Sequence, residues 1–599
     1  MIAAGPRAVV DAAACFSGYL TPLGTLEVSG AGQPEEHLGC RVLLRGYIAG
    51  RAALEERFGI VAASRRASDV QLMAHAYRTW GRDLQAHVLG EYAAVVYDVQ
   101  ARTALLVHDA LGLTPLFYAR RAGGVAFATD IVDLVDADAS GTLDDAYLAD
   151  FLATGAMTGE RTPYPAIRRV LPGQSLWWSG CELRALRTWD LADVAPVRCR
   201  DDAEYEEYFR ALLSAGVQAA RDPGGPTWTA LSGGLDSSSI TSVAANDDAR
   251  DLAAYSITCR TWPDADEERW MRTVIERYAL PWHKAELEAM LPFSRLPGGF
   301  HGEPTHTVIR EQQLQVENEL MRSHGARVML SGHGGDVVLC ASPGDVPAHL
   351  ADPLFDGNPF AALRALSSWK HGARDGRSTS HWLLHGLVEP AIDHVRGHRI
   401  RGGEQGALPP WFDAGYVRAM RLDDRARRNV APRCRWPGRQ ALSQALWMMS
   451  MATATIPQRR MAFTIRNPLL YRPLVEFMYA IPWEQKLRPR CDRYLQRRAL
   501  AGVLPEPIRR RATKGNGNPA LVEGLRRSRD WGAYLCDTPL IAQRGIVDAD
   551  RWRLAVRRAS VGQTHEDRFF LSAVAVEAWL KQLTEHRAAN VRTPEYARS

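Results

Sequence analysis

Apolar positions along this chain fall into two textures. Between about residues 38 and 135 they come in short, closely spaced runs. Arg41-Val42-Leu43-Leu44-Arg45-Gly46 predicts a strand ending in a glycine turn, Tyr92–Asp98 and Ala104–Asp109 predict two consecutive strands, and Val125–Thr129 predicts another. Val70, Met73, Ala74, Tyr77 and Trp80 recur at helical spacing. Strand following strand predicts a sheet-on-sheet layer. A polar stretch from Ala192 to Asp202 marks the boundary. Beyond it, Tyr205–Ala220 has the pattern of a helix, and the short apolar runs Trp228–Leu231, Leu252–Thr258 and Arg327–Leu330 alternate with helical segments. That alternation predicts a parallel sheet with helices on both faces. From about Pro343 the pattern is mostly helical and rich in arginine, with no internal repeat. The expectation is an α/β chain of two parts, residues 1–195 and 200–599.

Composition narrows the class. At 599 residues the chain is too long for one core. Hydrophobic residues make up 46% and charged residues 24%, as in soluble globular proteins. A net charge of +5 is too dilute to argue for a nucleic-acid partner. Nine cysteines are scattered without a CxxC pair, an odd number that fits reduced thiols better than a disulfide frame or a zinc site. No apolar stretch reaches the roughly 18 residues of a membrane span, and Arg7 and Asp11 interrupt the apolar start of the chain, so a cytoplasmic protein is expected.

The first chemical signal is a glycine loop after a strand. Leu231 ends an apolar run; Ser232-Gly233-Gly234-Leu235-Asp236-Ser237-Ser238-Ser239 follows, and a helix is predicted from Ile240. Two glycines allow close approach of the backbone to a phosphate, and a helix start offers unpaired N–H groups and partial positive charge. The serine hydroxyls can donate to phosphate oxygens. Asp236 would repel phosphate unless a cation lies between them, which implies Mg2+. The GK[ST] step of a kinase-type P-loop is absent. A second strand-to-glycine loop, Leu330-Ser331-Gly332-His333-Gly334-Gly335-Asp336, supplies another carboxylate, and two such loops in one parallel sheet converge on the same crevice.

The first of these loops resembles the pyrophosphate loop of ATP pyrophosphatases, which cleave ATP between its α and β phosphates, and the rest of the chain resembles the asparagine synthetase family. The resemblance assigns Asp236 and Asp336 to Mg2+, and Leu231, Ile257, Ser331 and Gly332, with the Ser232–Ser237 loop, to ATP. It brings the Asp-Glu step within the acidic cluster Asp264, Asp266, Glu267 and Glu268 near the nucleotide. Lys514, in a glycine-rich turn after Arg509–Arg511, falls on the family's lysine that stabilises charge on the leaving pyrophosphate, a role that suits a compact ammonium. One departure stands out: where the family has an Asp after the Pro-x-Leu step of Asn467-Pro468-Leu469-Leu470, this chain has Tyr471.

Residues 41–135 resemble the family's glutaminase half, an αββα sandwich, through Arg45-Gly46-Tyr47, Gly90-Glu91-Tyr92-Ala93, Asp109–Tyr118 and Phe127-Ala128-Thr129-Asp130, with Ile167–Gly173 as its exit segment. Active members use an N-terminal cysteine whose thiolate attacks glutamine and whose own amine is the base. Here Ile2 follows Met1, and Cys15-Phe16-Ser17-Gly18 is internal. Arg45 replaces the oxyanion-hole Asn, and no glutamine-binding Arg-Gly-Pro-Asp stretch occurs. A glutaminase-like domain without glutaminase activity is expected.

Without ammonia from glutamine, the amine must come from another substrate or from the same molecule. Two branches of the family work this way, β-lactam synthetases and lasso peptide cyclases. Extra length between Asp336 and Trp447, and His333 where β-lactam synthetases carry Tyr and asparagine synthetases an acidic residue, resemble the cyclase branch. That resemblance implies a core peptide as substrate, and a leader peptidase and a leader-binding protein as partners. His333 has a physical case of its own: an α-amine with a pKa of about 8 must lose a proton as the amide forms, and an imidazole can take it.

Overall fold

The computed structural model describes residues 15–30, 33–60, 67–135, 141–180, 182–339, 346–373, 376–399, 408–512, 515, 518–563 and 567–592. The chain divides into two compact units, one of residues 1–141, 166–189 and 458–460, the other of residues 142–165, 190–457 and 461–599. The polar stretch Ala192–Asp202 lies inside the second unit, as do residues 142–165.

Among the described residues the first unit has eleven strands: β1 (Phe16–Leu20), β2 (Leu26–Gly30), β3 (Glu35–His37), β4 (Cys40–Ala49), β5 (Leu89–Asp98), β6 (Thr103–His108), β7 (Phe117–Arg121), β8 (Gly124–Ala128), β9 (Arg168–Arg169), β10 (Gln174–Ser179) and β11 (Glu182–Arg187). They form two antiparallel sheets, ordered β2-β1-β8-β7-β9 and β11-β10-β6-β5-β4-β3. Phe16, Leu20 and Phe127 of one sheet and Leu43, Val95, Leu106 and Trp178 of the other share one buried cluster, so the sheets pack face to face. Alternate residues of the six-stranded sheet, Val42, Ala94, Val96, Leu105 and Val107, face the other way and pack on helix Asp69–Trp80. That helix starts where the sequence allows it, with Ser68 and Gln71 forming a reciprocal capping box. The glycine turn predicted at Gly46 is a correction: β4 runs on to Ala49, with Gly46 at φ 101° facing Tyr92. A Cβ there would lie 2.0 Å from the carbonyl oxygen of Glu91, so only glycine lets the strand pass.

In the second unit β12 (Thr227–Ala230), β13 (Leu252–Thr258), β14 (Trp282–Glu286), β15 (Val328–Leu330) and β16 (Thr464–Arg466) form one sheet of order β14-β13-β12-β15-β16, every neighbouring pair parallel. The order reverses between β12 and β15, which makes the carboxyl ends of these two strands a topological switch point. Helices dominate after β15. Val346–Phe355, Pro359–Ala373 and Leu384–Val388 enclose a separate apolar cluster of Val346, Leu350, Leu366, Trp369 and Trp382. Among the described residues no helix is long and apolar enough to cross a membrane, and the seven described cysteines are free.

Candidate active site

Both glycine loops leave the sheet at the switch point. Thr229 pairs with Leu330 across β12 and β15, so the two chains leave the sheet side by side, at Leu231 and at Ser331-Gly332. Leu231 is anchored, its N–H donating to the Tyr255 carbonyl at 2.8 Å while its own carbonyl accepts from the Ser256 hydroxyl at 2.7 Å. Ile257 sits half-buried at the end of β13, in the same apolar cluster as Trp228. The helix after the first loop starts five residues earlier than predicted, at Leu235, because Gly234 takes the extended N-cap conformation. Asp236 and Ser237 therefore lie in the first helical turn. No side chain caps this turn, which leaves its N–H groups directed at the crevice. Ser232 and Ser237 close the loop on itself, with hydroxyl oxygens 2.9 Å apart and the Ser232 N–H donating to Ser237 Oγ.

The second loop is pressed against that helix start. A Cβ on Gly332 would come within 2.7 Å of the Ser237 nitrogen, and one on Gly335 within 2.4 Å of the Asp236 carboxyl carbon. These close approaches bring Asp236 and Asp336 together. Arg493, which the sequence did not single out, spans them: Nε and Nη2 donate to the two oxygens of Asp236 at 2.7 Å each, and Nη2 also donates to Asp336. Burial raises the Asp236 carboxyl above its ordinary value, with Arg493 opposing and Asp336 adding to the rise. Two carboxylates converging on one point suit Mg2+, which takes one or two carboxylates and completes its shell with water and phosphate. Among the described residues no third acidic, His or Cys side chain joins them.

His333 stands exposed in the second loop. Its Nε2 lies 2.9 Å from Thr453 Oγ1, and the Thr453 hydroxyl itself donates to the Met449 carbonyl at 2.9 Å. The hydroxyl proton being committed, Nε2–H is the donor to Thr453 and Nδ1 keeps its lone pair. Desolvation by the surrounding protein moves this imidazole below its ordinary pKa, against the pull of Asp336.

Lys514 lies outside the described residues; Arg511 and Gly515, on either side of it in sequence, are both bonded to Glu267. Arg511 donates through Nη1 to the Gly233 carbonyl at 2.9 Å, pairs with Glu267 and lies over the Trp270 ring. Glu267 also accepts from the Gly515 N–H. Within the acidic cluster Glu267 turns to the loop, while Asp266 caps the N–H of Glu268 and Glu268 pairs with Arg272 and Lys284. Arg509 and Arg510 both pair with Glu506 on the surface. Tyr471, in place of the expected Asp, packs against Gly216 of helix Asp202–Ala220.

In the first unit Cys15 precedes β1 beside a cluster of charge. Buried Arg45 donates to Gln458 Oε1 at 2.6 Å, and Arg459 pairs with Asp130 and Asp133. Burial raises the Cys15 thiol, with the two arginines opposing and Asp130 adding to the rise.

The family model for asparagine synthase matches residues 209–581, and that for a glutamine amidotransferase domain matches residues 24–189. The chain is 24% identical over 481 residues to the glutamine-hydrolyzing asparagine synthetase 3 of Bacillus subtilis (strain 168), which covers 74% of this chain and 69% of that protein. It is 22% identical over 286 residues to Amidase chyE of Penicillium rubens, covering 45% of this chain and 42% of that one. A solved glutamine phosphoribosylpyrophosphate amidotransferase from B. subtilis covers 53% of this chain and 84% of its own, at 12% identity and a TM-score of 0.21, a likeness too low to carry an argument. The stretch matched to asparagine synthase contains the parallel sheet, both glycine loops and Arg493, and the chain belongs to the asparagine synthase family of ATP-dependent amide-forming ligases.

Proposed function

We propose that this chain is a peptide cyclase that draws no ammonia from glutamine, of the kind that closes lasso peptides. A core-peptide Asp or Glu side chain attacks the α-phosphorus of ATP, giving acyl-adenylate and pyrophosphate. The peptide's own N-terminal amine then attacks the acyl carbon, forming an isopeptide macrolactam and releasing AMP. A leader peptidase and a leader-binding protein are the partners this reaction calls for.

The observation that carries this reading is His333. Its Nε2–H is tied to Thr453, so the bare Nδ1 can accept the proton that the attacking amine must lose. The first-unit site supports an amine source other than glutamine: the Cys15 thiol is raised by burial, and Arg45 is engaged with Gln458 and Arg459 with Asp130. In the second unit the N–H groups at the Leu235 helix start would bind phosphate. Asp236 and Asp336 would hold Mg2+, which when bound neutralises phosphate charge. Glu267 and Arg511 hold the backbone on either side of Lys514 against the loop. Holding amine and acyl group together supplies much of the rate of ring closure.

A second reading has its own support. The match of residues 24–189 to a glutamine amidotransferase domain and the place of Cys15 at the head of β1 favour glutamine-dependent amidation. The two separate in one assay with ATP, Mg2+, glutamine, free aspartate, a small β-amino acid and a linear core peptide carrying Asp or Glu. Cyclisation predicts AMP together with a peptide lighter by one water, and no glutamate. Glutamate release with formation of a primary amide, and no change in the peptide, would sink the cyclase reading. A small β-amino acid closing its own ring, with the peptide untouched, would instead point to β-lactam synthesis.

A further inference from the structure

The two carboxylates at the switch point already have a cation between them. Arg493 sits at the N-cap of helix Tyr494–Ala499, far along the chain from either loop, and its side chain is only 10% exposed. Its guanidinium takes both oxygens of Asp236 and one of Asp336. The backbone at Arg493 is left-handed, φ 48° and ψ 41°, which a residue with a side chain rarely adopts. Its neighbours hold it there. Asp492 pairs with Arg493 Nη1 at 3.1 Å and with Arg497 at 2.7 Å, and Gln496 donates to Ser239 Oγ at 3.0 Å. Strain over-determined by surrounding bonds gathers at functional positions.

A guanidinium and a divalent metal compete for the same oxygens. The Asp236 side chain is 14% exposed, so its ionised form calls for a positive partner. We propose that Arg493 is an exchangeable placeholder for the metal. It neutralises the Asp236–Asp336 pair while the site is free of nucleotide, gives the carboxylates up to Mg2+ arriving with ATP, and turns its guanidinium to the phosphates beside them. This rests on Asp236 and Asp336 being the metal carboxylates. Its consequence is that metal and nucleotide bind as one coupled event: metal alone must break a bidentate ion pair, whereas metal with ATP offers the released guanidinium a new anion.

The test is a Mn2+ titration of the full-length protein followed by electron paramagnetic resonance, with and without α,β-methylene-ATP, which cannot be cleaved at the reacting bond. The wild type is expected to bind Mn2+ about tenfold or more tightly with the nucleotide analogue than without it. Arg493→Gln is expected to bind Mn2+ about tenfold more tightly than wild type in the absence of nucleotide, and the gain from the analogue should shrink. Arg493→Lys, whose single ammonium cannot span three oxygens, should fall between them. Unchanged nucleotide-free affinity in Arg493→Gln, while Mn2+ still binds with the analogue, overturns the placeholder and leaves the metal assignment standing. Undiminished Mn2+ binding in the Arg493→Gln, Asp236→Asn double variant overturns the metal assignment and the placeholder with it. Should Arg493→Gln not fold, Arg493→Lys decides, since Mn2+ affinity equal to wild type in the absence of nucleotide rejects the proposal.

Discussion

Arg509, Arg510 and Arg511 are identical in sequence, and a run of arginines carries no signal of which one turns inward. The fold chooses Arg511, whose side chain is 7% exposed between Glu267, Gly233 and the face of Trp270. Glu267 was visible only as one of four acidic residues. A buried, hydrogen-bonded ion pair that loses one partner leaves the other charge unsatisfied. Glu267→Gln is therefore expected to loosen the segment around Lys514 and to slow ATP–pyrophosphate exchange about 10²-fold, in line with a small misplacement of a reacting group. Arg511→Lys should not rescue it, because one ammonium cannot reach both Glu267 and the Gly233 carbonyl. His333 makes a prediction in pH. Its pKa is lowered from 6.5, so its base form persists into more acidic solution than a free imidazole allows. The acid limb of ring closure should lie below pH 6.5, and His333→Gln should remove that limb while leaving pyrophosphate exchange intact, as single-turnover pH profiles of the two steps would reveal.

Among the elements, a continuous apolar run located a buried strand, whereas a helix start built from serines gave no signal. Leu252–Thr258 was predicted to the residue, since a strand buried on both faces reads as one continuous apolar run. The helix at Leu235 was placed late because Ser237, Ser238 and Ser239 look like loop residues. In the fold the Ser237 hydroxyl bonds back to Ser232, that of Ser239 donates to the Leu235 carbonyl, and Ser238 is buried. β14 was missed because Trp282–Glu286 is half polar and lies at the sheet edge, and β16 because three residues are too few to show a period. The tight meeting of the two loops leaves no room at Gly335. Gly335→Ala is expected to destabilise the protein by about 1–3 kcal/mol in thermal or chaotrope unfolding, and to push Asp236 out of line with Asp336. The corner after β13 is held differently: the N–H groups of Arg260 and Thr261 both donate to Glu288 at 2.7 Å. Burial pushes this carboxyl up, but the backbone N–H groups outweigh it and hold it at about 2, below its ordinary 4.5. The stabilisation is thus complete above about pH 4.5 and is lost as the pH falls towards 2. Glu288→Gln should cost about 2 kcal/mol near pH 7, and that difference should close in unfolding curves below pH 3.

For the whole molecule, the change in texture near residue 200 predicts two parts, whereas residues 142–165, ahead of that change, group with the second compact unit. Helix Asp145–Thr154 explains why: Asp150 pairs with Arg425, and Asp145 with Arg544, so its partners lie hundreds of residues away in sequence. Periodicity reports which face of a helix is apolar and not what covers it. The first unit carries a prediction at this scale. Cys15→Ala should leave peptide-dependent AMP formation unchanged, whereas a glutaminase-driven enzyme would lose glutamine-dependent product. AMP assays with and without glutamine distinguish the two.

The pairing of Thr229 with Leu330 places side by side two loops about a hundred residues apart in the chain, and Arg493 joins them from later still. Pairings of such long range are slow to form, because the intervening chain must be ordered before the contact repays it. The site is therefore a late product of folding. After dilution from denaturant, helical ellipticity should return first and the ability to exchange pyrophosphate into ATP only afterwards. A ribosome-bound chain that has not yet released Arg493 would hold two facing carboxylates with their counter-ion still unmade.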